Sequence, residues 1–447
     1  PRLDRAALRD AALANEVCPY YLAQELARWA DVVVGDYNYY YDGSAMLYAL
    51  TQINQWRVGV LVDEAHNLLE RARRMYTAPL DQAAFRLARK TAPATLRKPL
   101  ERLQREWNAL KRAQTDGYRV YAEVPGKLLS AAQNLIGAVT DQLADAPLSI
   151  DENALRFFFD AMHFVALAEQ FGEHSIFDVT LQADRYAPRD KTSATLCVRN
   201  VIPAPFLAPR YAAARATVMF SGTLHPRHFY RDTLGLPGDT RWLDVEGPFR
   251  AEQLQVHVAG YVSTRWRDRE HSLAPIVALI AKQYEAKPGN YLGFLSSFEY
   301  LQRVVTLMRE RHPGLPVWAQ EPAMDEAARD AFLARFRTMN RGIGFAVLGG
   351  AFSEGIDLTG SQLIGAFIAT LGLPQMNDVN EQMRRTLDAR FGNGYDYTYL
   401  YPGLQKVVQA AGRVIRTEED RGVVHLIDDR YRRPEVRRLL PRWWQVR

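Results

Sequence analysis

The sequence is poor in cysteine and contains no long apolar run. Only two of its 447 residues are cysteines, which excludes a disulfide-bonded scaffold and fits a reducing cytosol. No stretch of about 18 apolar residues occurs, so we expect no membrane span, and no signal peptide is recognisable at its beginning. The length predicts several domains, and the net charge of +5 favours a polyanionic partner.

A phosphate-binding loop is also missing from the sequence. Such a loop reads G-x-x-x-x-G-K-[ST], whereas the only Gly-Lys pair, Gly126-Lys127, is followed by Leu128 and has Tyr121 in place of the first glycine. Because the sequence begins at Pro1, we expect it to be the C-terminal part of a longer protein. We therefore expect this chain by itself to bind nucleotide weakly and to hydrolyse it poorly or not at all.

An acidic motif, Asp63-Glu64-Ala65-His66, follows an apolar run at residues 58–62. A short continuous apolar run is typical of a strand buried on both faces, and open α/β sheets bind ligands at the carboxyl ends of their strands. Two carboxylates there match a Walker-B site, in which the first holds Mg²⁺ and the second orients the attacking water. The alternative is that both acids cap a helix that begins near Asn67.

A basic motif, QAAGRVIR, occupies residues 409–416. On a helix, Gln409, Arg413 and Arg416 share one face, because they are spaced by four and then three residues. Guanidinium groups on such a face can stabilise the charge of a transferring phosphoryl group. The alternative is a solvated basic face, which is the usual role of a charge stripe.

Three further apolar segments end in small, hydroxyl-bearing or acidic residues. The endings are Ser221-Gly222-Thr223, Ser296-Ser297 and Ser353-Glu354-Gly355-Ile356-Asp357. Each alone is compatible with an ordinary loop. Their order between the acidic and the basic motif favours one shared function.

In this order, the motifs resemble those of superfamily 2 DNA helicases of the XPD-like and DinG-like iron–sulfur group. Residues 63–66 match motif II, a DEAH box, and residues 221–223, 294–297, 353–357 and 409–416 match motifs III, IV, V and VI. The ending, with Asp428-Asp429-Arg430-Tyr431 and Trp443-Trp444, is similar to that of bacterial members. The resemblance covers nearly the whole chain and lacks motif I.

The resemblance implies an α/β fold with two RecA-like parallel-sheet motor domains, the first incomplete, and a helical arch-like insertion. Residues 1–76 would form part of the first motor domain with the end of the iron–sulfur region, 77–195 the insertion, 196–244 the return to the first motor domain, and 245–447 the second motor domain. Helical periodicity dominates the insertion, where we expect no long β-rich run; the alternative is a plain helical insertion that contacts no DNA. We expect strands at 32–34, 58–62, 255–258, 291–295, 345–348, 363–368 and 423–427.

The resemblance also implies roles for the motif residues. Asp63 would coordinate Mg²⁺, Glu64 would position the hydrolytic water of ATP, and His66 would couple the nucleotide to motif III; without the resemblance, His66 reads as a helix-cap or core histidine. Gln409, Arg413 and Arg416 would contact the phosphates. The nucleotide-binding residues would include Gly355 and Asp357, and the DNA-binding residues Ser296, Ser297 and Ser353.

The aromatic stretch at residues 36–41 has two interpretations. Asn38 and Tyr39 lie among tyrosines that follow a predicted strand, which favours a platform on which DNA bases stack. Packing of these tyrosines in a core or an interface is the alternative.

The resemblance places the last ligand of a [4Fe–4S] cluster at Cys18, in Cys18-Pro19-Tyr20-Tyr21-Leu22. One thiolate cannot hold a cluster that needs four, so we expect a cluster in the full-length protein and none in this chain by itself. The alternative is that Cys18 is a buried thiol. Cys197 lies in a strand-like run and is expected to be a small core residue.

Three functions follow. In the first, the chain is part of an ATP-dependent DNA helicase of the bacterial cytoplasm. This helicase acts on single-stranded or forked DNA in repair or replication, and the resemblance implies 5′→3′ movement. The second is a nucleic-acid-binding module with a non-functional motor, which the missing phosphate loop favours. The third is the helicase component of a nuclease-helicase.

Overall fold

Residues 4–183, 192–339, 341–352 and 357–447 are described by a computed structural model. The chain divides into two compact units, Pro1–Thr240 and Arg241–Arg447, whereas the sequence placed the beginning of the second motor domain at residue 245.

The first unit combines short strands with longer helices. Its strands are β1 (Gly59–Val62), β2 (Ala78–Asp81), β3 (Tyr118–Tyr121), β4 (Ser175–Ala183), β5 (Thr192–Asn200) and β6 (Ala216–Met219). Its helices are α1 (Arg5–Ala14), α2 (Pro19–Leu26), α3 (Asn38–Tyr41), α4 (Met46–Ile53), α5 (Leu68–Met75), α6 (Gln82–Thr91), α7 (Arg97–Arg112), α8 (Gly126–Asp145), α9 (Glu152–Ala168), α10 (Ala204–Ala213) and α11 (Arg227–Leu234). Aspartates cap several of them, because the carboxylates of Asp4, Asp81 and Asp151 accept from backbone N–H groups of the first turn.

The strand before the acidic motif is less buried than its apolar sequence predicts. β1 pairs in parallel with β6, and Leu61 lies opposite Val218. Val62 is 2% exposed, but Leu61 is 74% exposed, so the expectation of burial on both faces was wrong. Among the described residues, β6 is the only strand that pairs with β1.

Residues 32–34 are not a strand. Val32 and Val34 are 79% and 94% exposed, and no strand is assigned to them. An apolar run becomes a strand only where a neighbouring strand satisfies its backbone groups, and in the described part of the chain none lies beside this run.

The insertion is a sheet covered by helices rather than a helical region alone. Four strands form an antiparallel sheet in the order β2-β5-β4-β3, and this sheet continues to Asn200, beyond the predicted boundary at residue 195. The expectation that the insertion has no long β-rich run was therefore wrong, because β4 and β5 each have nine residues. A buried charge interrupts the apolar sequence pattern that would have predicted β4. Asp178 in β4 is fully buried and pairs with Arg199 of β5 at 2.8 Å.

The predicted helices of the insertion are present. α7 and α9 lie within a few residues of the segments 96–112 and 154–171, whose helical periodicity predicted them. In α7, Leu100, Leu103 and Trp107 are buried, and Trp107 packs against Phe85 of α6 at a ring-centroid distance of 5.4 Å. Gly126-Lys127 begins α8, so this pair belongs to a long helix.

The second unit is built on one parallel sheet. Its strands are β7 (Leu254–Val258), β8 (Asn290–Leu295), β9 (Val317–Ala319), β10 (Gly342–Val347), β11 (Gly365–Ala369), β12 (Gly422–Leu426) and β13 (Gln445–Val446). Its helices are α12 (Arg269–Ala286), α13 (Phe298–Arg311), α14 (Glu326–Thr338), α15 (Asp378–Phe391), α16 (Tyr401–Ala411) and α17 (Pro434–Arg437), with a π-helical turn at Asp396–Leu400.

The strand order of this sheet is β13-β7-β12-β11-β8-β10-β9, and every neighbouring pair is parallel. The five strands predicted in this unit are all present, as β7, β8, β10, β11 and β12. Of these, β8 and β11 are buried at every residue. Two apolar clusters cover the sheet, one around Phe294 and Val424 and the other around Tyr291 and Phe345. The sheet is therefore buried on both faces, as parallel sheets are.

Candidate functional site

The acidic motif forms a tight turn at the carboxyl end of β1. Glu64 has the left-handed backbone angles φ 45° and ψ 44°, an uncommon conformation for a residue with a side chain. The Asp63 carboxylate accepts from the Glu64 N–H at 2.7 Å. A short 3₁₀ helix, Ala65–Asn67, follows immediately, and Glu64 at its N-cap makes no side-chain capping hydrogen bond. Asn67 is the N-cap of α5, so neither acid caps that helix.

Tyr37 holds the backbone of this turn. Its hydroxyl lies 2.5 Å from the carbonyl oxygen of Asp63 and 2.9 Å from that of Glu64. Burial raises the pKa of the Tyr37 hydroxyl to about 12, and the charges of Glu64 and Asp63 add to this effect. The hydroxyl therefore keeps its proton at neutral pH and donates hydrogen bonds to the carbonyl oxygens of the turn. The sequence interpretation missed this residue, although it directly precedes Asn38 in the aromatic stretch.

His66 connects the acidic motif to the end of β6. It is 3% exposed, and its Nδ1 lies 2.6 Å from the Ser221 hydroxyl and 3.2 Å from a Glu64 carboxylate oxygen. The Ala65 N–H donates to the carbonyl of Phe220 at 3.1 Å, which fixes the two strand ends against each other. The structure therefore brings motif II and motif III residues together through a buried histidine.

The acidic side chains themselves are open to solvent. The Glu64 side chain is 61% exposed, and Asp63 is exposed as well. No group of three or more His, Cys, Asp or Glu side chains is placed to hold a metal in the described residues. Two carboxylates fit Mg²⁺, which keeps several waters and is bound by one or two carboxylates together with substrate phosphates.

The basic motif is not one helical stripe. α16 ends at Ala411, and Gly412 is its C-cap, so Arg413 lies in the turn that follows and Arg416 in a loop. The expectation that Gln409, Arg413 and Arg416 share a helix face was therefore wrong. Val414 and Ile415 are buried in the core, and the chain turns after Gly412 to bury them before it enters β12.

Arg416 is positioned by a carboxylate and by an anchored loop. Its Nε lies 3.0 Å from Asp357, so the structure brings together residues predicted in motifs V and VI. The Asp420 carboxylate accepts from the N–H groups of Arg416 and Thr417 at 2.7 and 2.8 Å. The side-chain amide of Gln253 donates to the carbonyl oxygens of three residues of this loop, at 3.0–3.2 Å.

The charge of Asp420 is stabilised although the residue is buried. Burial by itself would raise the pKa of Asp420, but the hydrogen bonds from the N–H groups of Arg416 and Thr417 outweigh burial and hold the pKa below its ordinary value. Sequence reasoning missed both Asp420 and Gln253. A signal was available for Asp420, because an aspartate just after a basic motif often accepts from local N–H groups.

Similarity to known proteins agrees with this arrangement. A family model described as "Helicase C-terminal domain" matches residues 280–447, and a second, described as "DEAD_2", matches residues 2–85. The chain is 27% identical over 264 residues to "ATP-dependent DNA helicase chl-1" of Caenorhabditis elegans, covering 54% of this chain and 31% of that protein. It is 28% identical over 273 residues to "ATP-dependent helicase DinG" of Mycobacterium tuberculosis, covering 58% of this chain and 39% of that protein.

Two solved structures share the fold. "XPD_Helicase" has a TM-score of 0.64 at 19% identity and covers 97% of this chain and 76% of that chain. "Structure of S. tokodaii Xpd4" has a TM-score of 0.62 at 15% identity and covers 98% of this chain and 88% of that chain.

The chain is similar to the XPD-like and DinG-like helicases. The predicted resemblance and the predicted α/β fold with RecA-like domains are confirmed. This XPD/DinG-like chain spans between 31% and 39% of the length of the curated relatives named above. No helix in the described part of the chain is long and apolar enough to cross a bilayer.

In this XPD/DinG-like chain, the serines that follow β8 have defined partners. The Ser296 hydroxyl accepts from a guanidinium nitrogen of Arg269 at 2.9 Å. Ser297 caps α13 and accepts from the N–H of Tyr300 at 3.3 Å. Ser353 and Gly355 lie outside the described residues.

The aromatic stretch of the chain divides into exposed and buried members. Asn38 is exposed, and Tyr39 is 38% exposed and stacks on Tyr20 at 6.2 Å. Tyr40 and Tyr41 are buried, so core packing accounts for them and leaves Tyr39 accessible.

The two cysteines of this XPD/DinG-like chain differ in their surroundings. Cys18 is exposed and precedes α2, so it is not the buried thiol of the alternative interpretation. A single exposed thiol does not by itself make a cluster site. Cys197 is 1% exposed, and burial raises the pKa of its thiol to about 12, which confirms it as a core residue.

Proposed function

We propose that this chain forms part of an ATP-dependent DNA helicase, in which its motif residues hydrolyse ATP and drive movement along single-stranded DNA. The observation that carries the proposal is the contact of buried His66 with both Glu64 and Ser221. A change at the hydrolytic carboxylate is thereby transmitted directly to the neighbouring strand end. This coupling is what a motor needs and what two helix-capping acids would not require.

The acidic turn supplies the groups for the hydrolytic step. Asp63 would hold Mg²⁺, and the positive charge of that ion would offset the charge of the phosphates. Glu64 accepts a hydrogen bond from the attacking water and orients it. Tyr37 keeps the turn in its left-handed conformation during this step, because its hydroxyl binds both carbonyl groups of the turn.

The loop after α16 supplies the cationic groups. Arg413 and Arg416 stabilise the negative charge of the transferring phosphoryl group, and Gln409 contacts the γ-phosphate region. Asp357 orients the guanidinium of Arg416, and the motif V residues Gly355 and Asp357 belong to the same nucleotide-binding set.

Ser296, Ser297 and Ser353 bind DNA phosphates, and Asn38 and Tyr39 form a surface on which a base stacks. The exposure of Tyr39 supports this role. The DNA is single-stranded or forked, the direction of movement is 5′→3′, and the setting is repair or replication in a bacterial cytoplasm. In the longer protein, Cys18 is a ligand of a [4Fe–4S] cluster.

The test uses the longer protein together with the 447-residue chain. We expect ATPase activity that single-stranded DNA stimulates in the longer protein, and little or none in the chain alone. We expect Arg413→Ala to abolish this ATPase activity while DNA binding stays at the level of the unchanged protein.

Each of the other functions has its own outcome. DNA binding without any ATPase activity in the longer protein would assign a module with a non-functional motor. Metal-dependent DNA cleavage that is lost with the N-terminal part would assign a nuclease-helicase. Retained turnover in the Arg413→Ala protein would contradict the role of that arginine.

A further inference from the structure

The excess positive charge of the chain is concentrated in residues 82–112 of the first unit. This stretch contains nine lysines and arginines and two acidic residues, so its net charge exceeds the +5 of the whole chain. All other residues together are therefore slightly acidic. The positive charge of this stretch therefore attracts a polyanion more strongly than the rest of the chain does.

An open groove of about 680 Å³ lies within the same stretch. Its cations are Arg89 of α6 and Lys98, Arg102 and Arg105 of α7, and Asn134 of α8 adds an amide. All four cations are exposed. The groove thus presents charge from two helices to solvent, next to an uncharged polar group that can also donate hydrogen bonds to an anion.

The cations of α7 form one helical stripe. Lys98, Arg102 and Arg105 are spaced by four and then three residues, whereas Leu103 and Trp107 on the opposite side are buried. Like charges at these spacings destabilise a helix. A bound anion removes that repulsion, so the stripe favours the bound over the free state.

The carboxylate that lines the groove forms its ion pair with a cation outside the groove lining. Glu101 is bound by Arg97, which lies outside the groove lining, at 3.0 Å. The hydrogen bond from Arg97 lowers the pKa of Glu101, burial opposes it slightly, and the charges of Arg97, Arg89 and Arg105 add to the lowering. In the described residues, neither Arg102 nor Arg105 forms an ion pair with a carboxylate.

The lining distinguishes between two forms of nucleic acid. Sites for single strands combine cations with aromatic side chains on which bases stack, and no aromatic side chain is among the described residues that line the groove. A duplex hides its bases and offers about one phosphate charge per 1.7 Å of helix axis. The guanidinium, ammonium and amide groups of the groove can bind these phosphates, so the groove fits a duplex better than a single strand.

We propose that this groove binds the sugar–phosphate backbone of double-stranded DNA, with Arg102 and Arg105 as its main phosphate contacts. The binding is independent of sequence, because no groove side chain is required to reach a base edge. It goes beyond the proposed motor function, since it requires neither nucleotide nor any motif residue.

The test measures binding of a fluorescent duplex to the 447-residue chain across a salt series between about 50 and 200 mM. For the double variant Arg102→Gln/Arg105→Gln, we expect at least a tenfold loss of affinity at the low end. The slope of log affinity against log salt should decrease by about 1.8, since each lost phosphate contact accounts for about 0.9.

Three matched measurements make the test specific. Arg329→Gln/Arg337→Gln removes two exposed arginines of α14 in the second unit and should leave the slope unchanged. Arg102→Lys/Arg105→Lys keeps the charge and should retain most of the slope. A single-stranded oligonucleotide of the same length should lose far less affinity than the duplex. Circular dichroism melting checks that all variants are folded.

Several results would overturn the proposal. They are an unchanged slope in the α7 double variant, an equal loss in the α14 variant, a loss confined to the single strand, or no measurable duplex binding by the unchanged chain. Loss of binding to poly-glutamate with unchanged duplex binding would assign the groove to an acidic protein instead. None of these results bears on ATP hydrolysis, so the motor proposal is tested separately.

Discussion

At the scale of single residues, Glu64 combines an exposed carboxylate with a constrained backbone. Its side chain is 61% exposed, so water reaches it, while the Tyr37 hydroxyl and the left-handed angles fix where it points. A group that must orient water has to be both accessible and pre-organised. The surroundings of Glu64 meet both requirements.

We expect Glu64→Gln in the longer protein to lower the ATPase rate by about 10²- to 10⁴-fold, the usual range for loss of a general base. The amide keeps the size of the side chain and its contact with His66, so binding of DNA should stay unchanged. Steady-state ATPase assays and DNA anisotropy measure the two effects. Glu123→Gln, an exposed acid of the insertion, is the matched control, and equal activity of the two variants would contradict the assigned role.

At the scale of elements, the loop after α16 shows how a motif is held in place without helical structure. The buried Asp420 carboxylate binds two successive N–H groups, and the Gln253 amide binds three carbonyls of the same loop. The Arg416–Asp357 pair is exposed and contributes little stability by itself. The loop geometry, rather than the ion pair, therefore determines where Arg416 lies.

We expect Asp420→Asn to release this loop. Both N–H groups donate to the same carboxylate oxygen, and an amide oxygen in its place lacks the negative charge, so the hydrogen bonds from Arg416 and Thr417 weaken. Amide hydrogen exchange of these two residues should accelerate, by more than tenfold for a loss of about 1.4 kcal/mol. Glu419→Gln removes a charge from an exposed neighbour and should leave both amides as they were; equal acceleration there would show that Asp420 is not the anchor.

The sheet of the second unit contains a partly buried histidine that makes its stability depend on pH. Burial lowers the pKa of His425 to about 4, and the neighbouring His257 adds to the lowering. The His425 Nε2 lies 3.0 Å from the Gln283 side-chain oxygen, and its ring stacks on Phe367 at 5.4 Å. His425 is therefore neutral in the folded protein, whereas in the unfolded chain it takes up a proton below about pH 6.5.

Since the folded-state pKa of His425 is depressed, its contribution to stability is present above about pH 6.5 and is lost as the pH falls towards 4. The free energy of unfolding should decrease by up to about 3 kcal/mol over this window, since each pKa unit corresponds to about 1.36 kcal/mol. Urea unfolding of residues 241–447, followed at several pH values, measures it. His425→Gln should flatten the dependence. His312→Gln, which changes the histidine at the C-cap of α13, should keep it; an equally steep dependence without His425 would contradict its role.

The elements differ in how far the sequence predicted them. β8 and β11 are continuous buried runs in a parallel sheet, so composition alone identified them. β4 was missed because the buried Asp178 interrupts its apolar pattern, whereas β5 contains the strand-like run around Cys197 that the sequence had indicated. The end of α16 was missed because helical spacing continues through Gly412, and only the core positions of the following residues require the turn.

The candidate site shows the same division. Asp63 and Glu64 were predicted because they follow an apolar run, and the pairing of Arg416 with Asp357 joins two motifs that the sequence had singled out. Tyr37 and Gln253 bind backbone groups that are distant in sequence, and such contacts leave no residue-type pattern in the sequence. Asp420 also binds backbone groups, but these are local, so its residue type and position carried a signal.

At the scale of the whole molecule, the two units differ in how well their strands are covered. β8 lies between β11 and β10 and is buried along its length. β1 has one described neighbour, β6, and the apolar side chains of Leu61, Val218 and Phe220 are 74%, 52% and 46% exposed. Local stability follows such coverage, because strands with few buried contacts open at low free energy.

We therefore expect the backbone amides of β1 to exchange hydrogen much faster than those of β8 in the native 447-residue chain. Amides of β8 should exchange only through global unfolding of the second unit, whereas those of β1 should exchange through local opening, at least 10²-fold faster for a difference of about 2.8 kcal/mol. Mass spectrometry of peptides that contain β1 or β8 measures both rates under one condition. β4 belongs to the first unit, like β1, but is buried in the antiparallel sheet. Peptides from β4 therefore show whether the exchange rate depends on the burial of a strand or on the unit to which it belongs. Slow exchange in β4 with fast exchange in β1 would support coverage as the cause, and uniformly slow exchange in β1, β4 and β8 would refute it.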